Sequence, residues 1–461
     1  MMRRGRVTET KHLTFNCKDV KALFEAILEG EKVKPFQVAK RTVFARYGIA
    51  GTRKDRIFTA IIYKFFKIYG ILDKIVAWAL KNNVDKLCEE LKMALRLTAY
   101  LTQFDSVKDE RLIEAFRKCI KQYLSEKCGT EQARLFETAF EKMATRPWKP
   151  SKEELLELRY KMPYLLIKLF SKLVKDDREL EDLITALNAS PPLGFRVNTL
   201  KVKDVEEVVR ELQSSGVKVW ASKRVPYVIR YVGGLDYNRQ RLLQEGIIVP
   251  QDEPSALAAI LLNPQPGEII VDLCAAPGGK TTHIAELSRN LATVIALEIY
   301  PDRMARLVEL ANRTSTYISI HPIITDARYA SKLLARIKAH KVLIDPPCTS
   351  TGALAKHPDA RWRLTEEKLK EIIDLQRALL EEAHKLLRVG GRLLYTTCSI
   401  LIEENEDNIK WFLKRHPCYQ IIPLKGPYEE SPWLPGTMRA WPHKHNTTGF
   451  YYALLEKVDE C

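Results

Sequence analysis

The sequence lacks a Cys-x-x-Cys pair, although it contains nine cysteines. Cysteines scattered in this way match neither a zinc pattern nor the framework of a disulfide-stabilised fold. A metal site at His443 and His445 is not expected either, because no cluster of cysteines or carboxylates lies near them in the sequence. We therefore expect no metal, and we expect six cysteines to be ordinary residues whose burial is set by packing. These six are Cys17, Cys88, Cys119, Cys128, Cys418 and Cys461.

Long hydrophobic runs are also missing. No stretch reaches the ~18 uncharged apolar residues that a membrane span needs. The most apolar candidate, residues 57–72, is interrupted by Lys64 and Lys67. The N-terminus is basic, but no apolar core of a signal peptide follows it. We therefore expect a cytoplasmic protein with no membrane partner.

Negative charge is in short supply. Lys and Arg number 74 against 58 Asp and Glu, which gives a net charge of +16 and a pI near 9.3. A surplus of this size favours a polyanionic partner, either nucleic acid or an acidic membrane surface, although a highly charged surface can also be merely solvated. Nucleic acid is the preferred partner.

Residues 19–145 are predicted to form an all-helical domain, because apolar residues recur there at a period of 3.6. The run from Ile57 to Phe66 is an example. The most basic stretch of this domain, residues 34–56, is either a phosphate-contacting surface or a solvated helix face. Its basic residues include Lys40, Arg41, Arg46, Arg53, Lys54 and Arg56.

The chain divides into three predicted domains. A proline-containing linker at 147–150 ends the helical domain, which is assigned to residues 1–150. Linking helices and a small α+β unit follow in residues 151–248. The third domain takes residues 249–461.

The α+β unit contains a predicted strand from Phe195 to Leu200 and a second one from Val217 to Trp220. Arg196 and Asn198 lie on one face of the first strand, because side chains alternate along a strand. There they could meet a phosphate and a base edge. Structural hydrogen bonding is a near-equal alternative for both residues.

Five short apolar runs in the third domain alternate with helical segments, which predicts an α/β fold with a Rossmann-like, doubly wound parallel sheet. Such sheets bind ligands outside the carboxyl ends of their strands. A further run at 449–455 is predicted to be a final strand at the sheet edge. The five runs are residues 269–271, 293–297, 318–324, 341–344 and 392–395.

The loop after the first run consists mainly of small residues and leads into a helix, so a ligand could approach its backbone closely. The upstream glycine of a triphosphate-binding loop is missing, whereas Glu298 and Asp326 follow the next two runs, where a carboxylate can accept hydrogen bonds from ribose. This pattern indicates a nucleoside-bearing cofactor, either NAD or S-adenosylmethionine. The Asp345-Pro346-Pro347 turn favours S-adenosylmethionine, because it is a hallmark of methyltransferases. The loop residues are Cys274, Ala275, Ala276, Pro277, Gly278, Gly279 and Lys280.

Two cysteines, Cys348 and Cys398, follow the fourth and fifth runs and are predicted to lie at adjacent strand ends. Methyltransferases that act on exocyclic amino groups usually carry an aromatic residue at the position of Cys348. A thiol suits carbon 5 of cytosine instead, because a thiolate that adds to carbon 6 makes carbon 5 nucleophilic enough to take a methyl group. Asp345 is placed to protonate or hydrogen-bond N3 of the base and so promote the addition.

These residues identify a family. The sequence resembles the RsmB/Fmu/Sun family of S-adenosylmethionine-dependent RNA (cytosine-5)-methyltransferases, over about residues 150–458. Together the matching motifs are highly specific. They are Arg196–Thr199, Gln251–Ser255, Cys274–Lys280, Asp345–Cys348, Thr397–Ser399 and Gly449–Tyr451.

The resemblance implies that Cys398 is the nucleophile and that Cys348 assists release of the product. It implies that Lys280 lies near the target base and that Arg303 is a secondary contact to the cofactor. Arg196, Asn198 and Gln251 belong to motifs that we expect to contact RNA. The implied cofactor-binding residues are Cys274, Ala275, Ala276, Pro277, Gly278, Gly279, Lys280, Glu298, Asp326 and Asp345.

The helical N-terminal part resembles the NusB-like RNA-binding domain of one branch of this family, chiefly at Arg53–Arg56 and the helix that follows. That branch modifies small-subunit ribosomal RNA, so we expect an enzyme that acts on rRNA, with tRNA as the alternative substrate. We also expect the protein to be a monomer. Two rival functions remain open from the sequence: a noncatalytic RNA-binding assembly factor on a methyltransferase scaffold, and a methyltransferase that acts on amino groups.

Overall fold

The computed structural model describes residues 14–33, 36–81, 87–104, 109–189, 191–233 and 240–461. The basic N-terminus and Lys34, which entered the sequence analysis, lie outside these residues. The described part divides into two compact units. The first contains the described residues up to Lys168 and the segment His357–Arg363, and the second contains the rest. The three predicted domains are a finer division, and their boundaries stay a prediction.

The first unit is helical over its described residues, as the apolar period predicted. Its helices begin where the sequence supplies caps: Asn16 and Asp19 form a capping box, and Ser151 and Glu154 form another. The helices are α1 (Cys17–Lys32), α2 (Phe36–Arg46), α3 (Arg53–Lys67), α4 (Tyr69–Ala79), α5 (Glu89–Ala99), α6 (Glu110–Cys128), α7 (Thr130–Thr145) and α8 (Lys152–Tyr160).

The segment His357–Arg363 packs against the same unit, far from it in sequence. The indole Nε1 of Trp362 donates a hydrogen bond to the carbonyl of Lys67 (3.0 Å). The ring lies so close to Gly70 that a Cβ there would come within 2.3 Å of it. A glycine is therefore required where α4 begins.

Six cysteines pair as three disulfides, so the expectation that they are ordinary residues was wrong. The pairs are Cys17–Cys119, Cys88–Cys128 and Cys418–Cys461. Their members are 102, 40 and 43 residues apart, and no local spacing marks such pairs in a sequence. The packing of α1 against α6 brings the first pair together, and that contact is tertiary.

A four-stranded antiparallel sheet forms one part of the second unit, in the order β2-β3-β1-β4. The predicted first strand ends earlier than expected, because the Asn198 side chain accepts a hydrogen bond from the Leu200 backbone (3.0 Å) and forms a turn. The strands are β1 (Leu193–Val197), β2 (Lys218–Ala221), β3 (Val228–Val232) and β4 (Ile248–Pro250).

The larger sheet of this unit has the order β11-β12-β13-β9-β8-β5-β6-β7, with β10 paired to β13. Strands β5 to β9 are parallel to their neighbours within that group, which confirms the predicted doubly wound sheet. The strands are β5 (Ile269–Asp272), β6 (Thr293–Glu298), β7 (Ile320–Ile324), β8 (Ala339–Ile344), β9 (Leu387–Thr397), β10 (Tyr419–Ile421), β11 (Glu429–Glu430), β12 (Met438–Ala440) and β13 (Phe450–Lys457).

The helices after α8 precede the two sheets or connect their strands. The helices are α9 (Tyr164–Ser171), α10 (Asp177–Asn188), α11 (Val205–Ser214), α12 (Arg241–Gln244), α13 (Glu253–Leu262), α14 (Gly279–Leu287), α15 (Pro301–Thr314), α16 (Ala330–Leu333), α17 (Glu366–Leu386), α18 (Glu406–Arg415) and α19 (Pro442–His445).

The last strand does not lie at the sheet edge, contrary to the sequence prediction. β13 pairs antiparallel with β9 on one side and with β12 on the other. The strands beyond it, β11 and β12, are only two and three residues long. Strands so short carry no readable alternation of apolar and polar residues, which is why the sequence did not reveal them.

None of the helices in the described ranges combines the length and the apolarity that crossing a bilayer requires.

The Cys17–Cys119 disulfide should stabilise the helical unit, because it closes a long loop in the unfolded chain. For about a hundred residues, loop-closure entropy is on the order of 4–5 kcal/mol. We expect Cys17→Ser and Cys119→Ser to lower the midpoint of denaturant unfolding, measured by far-UV circular dichroism, by similar amounts. The double variant should lose no more than either single variant.

Cys274→Ser is the matched control, since Cys274 is free, and its unfolding midpoint should stay near that of the unmodified protein. The disulfide would be refuted if alkylation without reduction labelled Cys17 and Cys119 in the native protein.

Candidate active site

The parallel strands bring the predicted polar and sulfur-containing residues to one edge of the large sheet. In the order β7-β6-β5-β8-β9, all five strands point the same way. Their carboxyl ends therefore meet at a single edge. The residues that end or follow these strands are Asp272, Glu298, Asp326, Asp345 and Cys398.

The loop between β5 and α14 is anchored by a buried carboxylate. Asp272 accepts a hydrogen bond from the Thr281 hydroxyl (2.7 Å) and another from the Cys274 backbone (3.3 Å). Burial raises the pKa of Asp272 to about 6. Gly278 has φ 103°, and a Cβ there would lie 3.1 Å from Leu307, so this turn requires glycine.

The carboxylate at the end of β6 is linked to the same loop. Glu298 is buried and accepts a hydrogen bond from the Tyr300 backbone (3.0 Å). Arg303 pairs with Glu298 (3.3 Å) and also donates to the Ala276 carbonyl, so it ties the loop to the strand end. Beyond β7, both carboxylate oxygens of Asp326 accept hydrogen bonds from the Arg328 side chain.

Apolar side chains are exposed beside these carboxylates. Two follow β6 directly, and two lie at the end of β7 and just after it. Apolar side chains next to carboxylates that accept hydrogen bonds suit a purine nucleoside, whose ring is apolar on its faces and whose ribose carries donors. The residues fit a nucleoside-bearing cofactor for this reason. The four side chains are Ile299, Tyr300, Ile324 and Tyr329.

The two predicted thiols meet at the ends of β8 and β9. The Sγ atoms of Cys348 and Cys398 are 3.2 Å apart, and neither forms a disulfide. The Ser350 hydroxyl lies 3.5 Å from Cys398 Sγ and 3.9 Å from Cys348 Sγ. Both cysteines are half-buried.

The two thiols differ in acidity. The hydrogen bond with Cys348 lowers the pKa of Cys398 and outweighs the effect of burial, and Ser350 and Lys280 act in the same direction. The pKa of Cys348 is raised well above its usual range by the hydrogen bond with Cys398, by burial and by the nearby charge of Glu404. Cys398 is therefore the thiol that ionises first, while Cys348 keeps its proton.

Lys280 lies beside the thiol pair. Its ammonium group pairs with Asp345 (2.6 Å) and lies 5.2 Å from the centre of the Phe450 ring. Burial opposes the charge, but the Asp345 carboxylate outweighs that effect and raises the pKa of Lys280. Asp345 also accepts from the Thr396 hydroxyl (3.3 Å). A protonated cation and an anchored carboxylate thus border the reactive sulfurs.

Sequence reasoning missed the polar residues that hold the two thiol-bearing loops. Glu404 is buried, and donors from both loops converge on it. Gly352 donates to the carbonyl of Cys398 (2.9 Å) and packs so closely on Gly449 that a Cβ would lie 2.4 Å from its oxygen. The acidic run 403–407 after Cys398 was the available signal, but it resembles a solvated helix start.

The residues expected to contact RNA in the small sheet are buried instead. Arg196 is fully buried, pairs with Glu286 (2.6 Å) and donates to Gln251 (2.6 Å). Asn198 donates to the carbonyls of Gly246 (3.0 Å) and Thr314. Intramolecular partners therefore occupy these side chains, and the structure supports the alternative that they form structural hydrogen bonds.

Much of the basic N-terminal stretch is internally neutralised. Lys40 pairs with Asp55 (3.1 Å), Lys54 pairs with Asp19 (2.6 Å), and Arg46 lies within 3.5 Å of two glutamates of α1. These ion pairs reduce the positive charge that this surface offers to a phosphate backbone. A phosphate-contacting role for this stretch stays a prediction.

The chain matches two family descriptions. The one described as 16S rRNA methyltransferase RsmB/F matches residues 259–456. The one described as the ferredoxin-like domain of RsmF/B-like methyltransferases matches residues 162–238. The first match spans nearly all of the large sheet, and the second spans β1, β2 and β3 of the small sheet.

The chain is also similar to individual proteins and solved structures. The chain is 33% identical over 277 residues to ribosomal RNA small subunit methyltransferase B of Proteus mirabilis (strain HI4320), covering 60% of this chain and 62% of that protein. The chain thus spans less than two thirds of that relative. The crystal structure of PH0851 superposes with a TM-score of 0.88 at 40% identity, covering 97% of this chain and 100% of that one. NSun6 from Pyrococcus horikoshii, crystallised with SFG, gives 0.58 at 25% identity, covering 64% and 98%.

The asymmetry of the thiol pair can be measured by alkylation, because the thiolate is the reactive form. We expect iodoacetamide to label Cys398 at a lower pH than Cys348 or Cys274, as followed by peptide mass spectrometry. Lys280→Met removes a cation that favours the thiolate, so the labelling profile of Cys398 should move to higher pH by up to about one unit.

Lys332→Met, on the exposed surface of α16, is the control and should leave the profile in place. Labelling of Cys348 at a lower pH than Cys398 would contradict the assignment of Cys398 as the more acidic thiol. A labelling profile of Cys398 that is unchanged in Lys280→Met would contradict the role given to Lys280.

Proposed function

Because the chain belongs to the RsmB/F family of methyltransferases, we propose that it transfers a methyl group from S-adenosylmethionine to carbon 5 of a cytosine in RNA, through a covalent bond between the base and Cys398. The observation that carries this proposal is the pair of free, half-buried thiols 3.2 Å apart beside a lysine at the carboxyl edge of the sheet. An amino-group methyltransferase has no use for two thiols there, since exocyclic nitrogen is already nucleophilic.

In the proposed reaction Cys398 acts first. Its thiolate adds to carbon 6 of cytosine, and the electron pair of the 5,6 double bond moves to make carbon 5 nucleophilic. S-adenosylmethionine would supply the methyl group that carbon 5 takes and would leave as S-adenosylhomocysteine. Solvent water then takes the proton from carbon 5, the electron pair of that C–H bond re-forms the 5,6 double bond, and the Cys398 sulfur leaves as thiolate.

Cys348 is proposed to assist this release. It keeps its proton while Cys398 ionises, and it can donate a hydrogen bond to the sulfur that departs. A leaving thiolate is stabilised by such a donor. This role agrees with the one that the family resemblance implies for the cysteine after Pro346-Pro347.

Asp345 and Lys280 are proposed to act on the base. Addition to carbon 6 builds negative charge towards N3, so a nearby proton donor lowers the barrier. The ammonium of Lys280 carries a proton and is held by Asp345 (2.6 Å). We assign the promotion of thiolate addition to this pair acting together.

The cofactor is proposed to bind along the carboxyl edge. Glu298 would accept hydrogen bonds from the ribose of the cofactor, and Asp326 would contact the cofactor nucleoside. Arg303 would hold Glu298 and the loop after β5 together. SFG, an analogue of S-adenosylmethionine, is bound in the NSun6 structure, which supports this choice of cofactor. The loop residues proposed to line the site are Cys274, Ala275, Ala276, Pro277, Gly278, Gly279 and Lys280.

We propose small-subunit rRNA as the substrate, with the target base turned out of its stack. The name of the Proteus mirabilis relative supports rRNA, and the net charge of +16 supports a polyanionic partner. The NusB-like resemblance of the helical unit points to the same branch. tRNA is the alternative substrate.

Substitutions of the two cysteines should have different effects on methyl transfer. Cys398→Ala removes the nucleophile and should abolish transfer of labelled methyl groups to RNA. Cys348→Ala removes the donor to the leaving sulfur and should accumulate a covalent protein–RNA adduct, seen as a band of reduced mobility on a denaturing gel. Cys274→Ser, at the third free cysteine, is the control expected to form no adduct.

Unchanged methylation by Cys398→Ala would disprove its role as nucleophile, and nucleoside mass spectrometry showing N4-methylcytosine would disprove the carbon-5 reaction.

The substrate is tested with unmodified small-subunit rRNA and tRNA offered separately with labelled S-adenosylmethionine. We expect label on rRNA only, lost in Cys398→Ala. Label on tRNA would support the proposed reaction but would show that rRNA is the wrong substrate. Label on neither RNA would favour the noncatalytic assembly factor.

A further inference from the structure

A buried carboxylate contacts both loops that carry the thiols, and the loops also contact each other directly, through the Thr351 and Ser399 hydroxyls (2.9 Å) and the Gly352 N–H with the Cys398 carbonyl (2.9 Å). Both oxygens of Glu404 accept hydrogen bonds. Oε2 accepts from the Thr349 backbone (2.9 Å) and from the Gln376 side chain (2.9 Å). Oε1 accepts from the hydroxyls of Thr349 and Ser399. All four donors are neutral groups.

The donors are the immediate neighbours of the thiols in the chain. Thr349 follows Cys348, and Ser399 follows Cys398. One carboxylate therefore contacts the residue after each sulfur, and the two sulfurs lie 3.2 Å apart. Gln376 reinforces the contact, since it also donates to the Pro347 carbonyl on the other side of Cys348 (3.0 Å).

Glu404 is itself held firmly. Its backbone carbonyl accepts from the Tyr395 hydroxyl (2.7 Å) and from the Asn408 side chain (3.0 Å). Tyr395 belongs to β9, which leads into Cys398. A contact with a strand of the sheet therefore helps to hold the Glu404 backbone in place. A group that sets the distance between two reactive atoms needs such a rigid support.

The charge of Glu404 also acts on one thiol more than on the other. It contributes to the raised pKa of Cys348, whereas the lowered pKa of Cys398 owes nothing to it among its main causes. Burial raises the pKa of Glu404, and its four donors oppose that effect by favouring the ionised carboxylate. The geometry and the charge therefore work in one direction, towards an ionised Cys398 beside a protonated Cys348.

We propose that Glu404 is a positioning residue that clamps the Thr349 and Ser399 positions and thereby holds the two thiols at reacting distance. Its consequence for catalysis rests on the proposed function, but its effect on the distance between the sulfurs does not. Glu404 touches neither base nor cofactor in this account and acts only through the two cysteines.

The distance can be tested without any methyl transfer. Diamide oxidises two adjacent thiols to a disulfide, and its N=N bond takes up the two electrons and two protons that they release. We expect rapid formation of a Cys348–Cys398 disulfide in the unmodified protein, measured by mass spectrometry. Glu404→Gln places an amide N–H against groups that donate, so the clamp opens and cross-linking should slow by about tenfold or more.

Glu382→Gln is the matched control. Glu382 is also a buried glutamate that accepts a backbone hydrogen bond, from Ser331 (2.7 Å), but it contacts neither thiol-bearing loop. Its cross-linking rate should stay near that of the unmodified protein. Equal rates for Glu404→Gln and the unmodified protein would overturn the proposal.

A second pair of measurements links the clamp to turnover. Displacing a reacting group by about 1 Å costs on the order of a hundredfold in rate, so we expect Glu404→Gln to lower kcat for methyl transfer while KM for S-adenosylmethionine changes little. Glu404→Asp keeps the charge but shortens the reach, and it should recover part of the loss. A change confined to KM would overturn the positioning role.

If Glu404→Gln fails to fold, Thr349→Val tests the same clamp by removing one hydroxyl contact, and cross-linking at the unmodified rate would then overturn it. The Glu404 proposal and the proposed function can be rejected independently of each other. Slow cross-linking in Glu404→Gln together with an unmodified protein that methylates no RNA would keep the clamp and reject the proposed function.

Discussion

The parallel pairing of β8 with β9 is the constraint on which the candidate site depends. Their register aligns Ile344 with Tyr395, so the residues that follow each strand emerge side by side. Neighbouring strands lie ~4.8 Å apart, which lets Thr396 reach Asp345 and lets the loops beyond them bring two sulfurs to 3.2 Å. A shift of one residue would turn these side chains to the other face of the sheet.

A second constraint is the fully buried ion pair between Arg196 and Glu286. It joins β1 of the small sheet to α14, the helix that follows the candidate cofactor loop. Such pairs are expensive to desolvate, and they persist when further hydrogen bonds satisfy the charges. Arg196 donates such bonds from its two terminal nitrogens to Gln251, Thr282 and the Gly279 carbonyl, whereas its Nε and Glu286 Oε2 have no hydrogen-bond partner among the residues that the structure describes. Arg196, which the sequence analysis expected to contact RNA, instead anchors α14 at the end of the candidate cofactor loop.

The sequence predicted what depends on local patterns. Continuous apolar runs identified β5 to β9, because strands buried on both faces contain few polar residues. The thiols were predictable because their chemistry stands out at two strand ends. Tertiary contacts left no such trace: Cys17 and Cys119 meet only after α1 packs on α6, and Glu404 looks like a helix-capping acid until both loops fold onto it. Lys40 and Lys54 likewise looked free in sequence, but acidic residues of the same unit pair with them.

The two unbonded thiols contrast with the three disulfides in the same chain. At 3.2 Å they are too far apart for a covalent S–S bond, which is about 2.05 Å long, and close enough to share one proton. Addition to a base requires one sulfur to be ionised, and departure from it requires a donor close to the sulfur that leaves. A pair that shares one proton meets both requirements. Lys280 and Ser350 favour the charge on Cys398, and Glu404 disfavours it on Cys348. The polar surroundings therefore favour the thiolate at Cys398, and the parallel pairing of β8 with β9 brings the two sulfurs together.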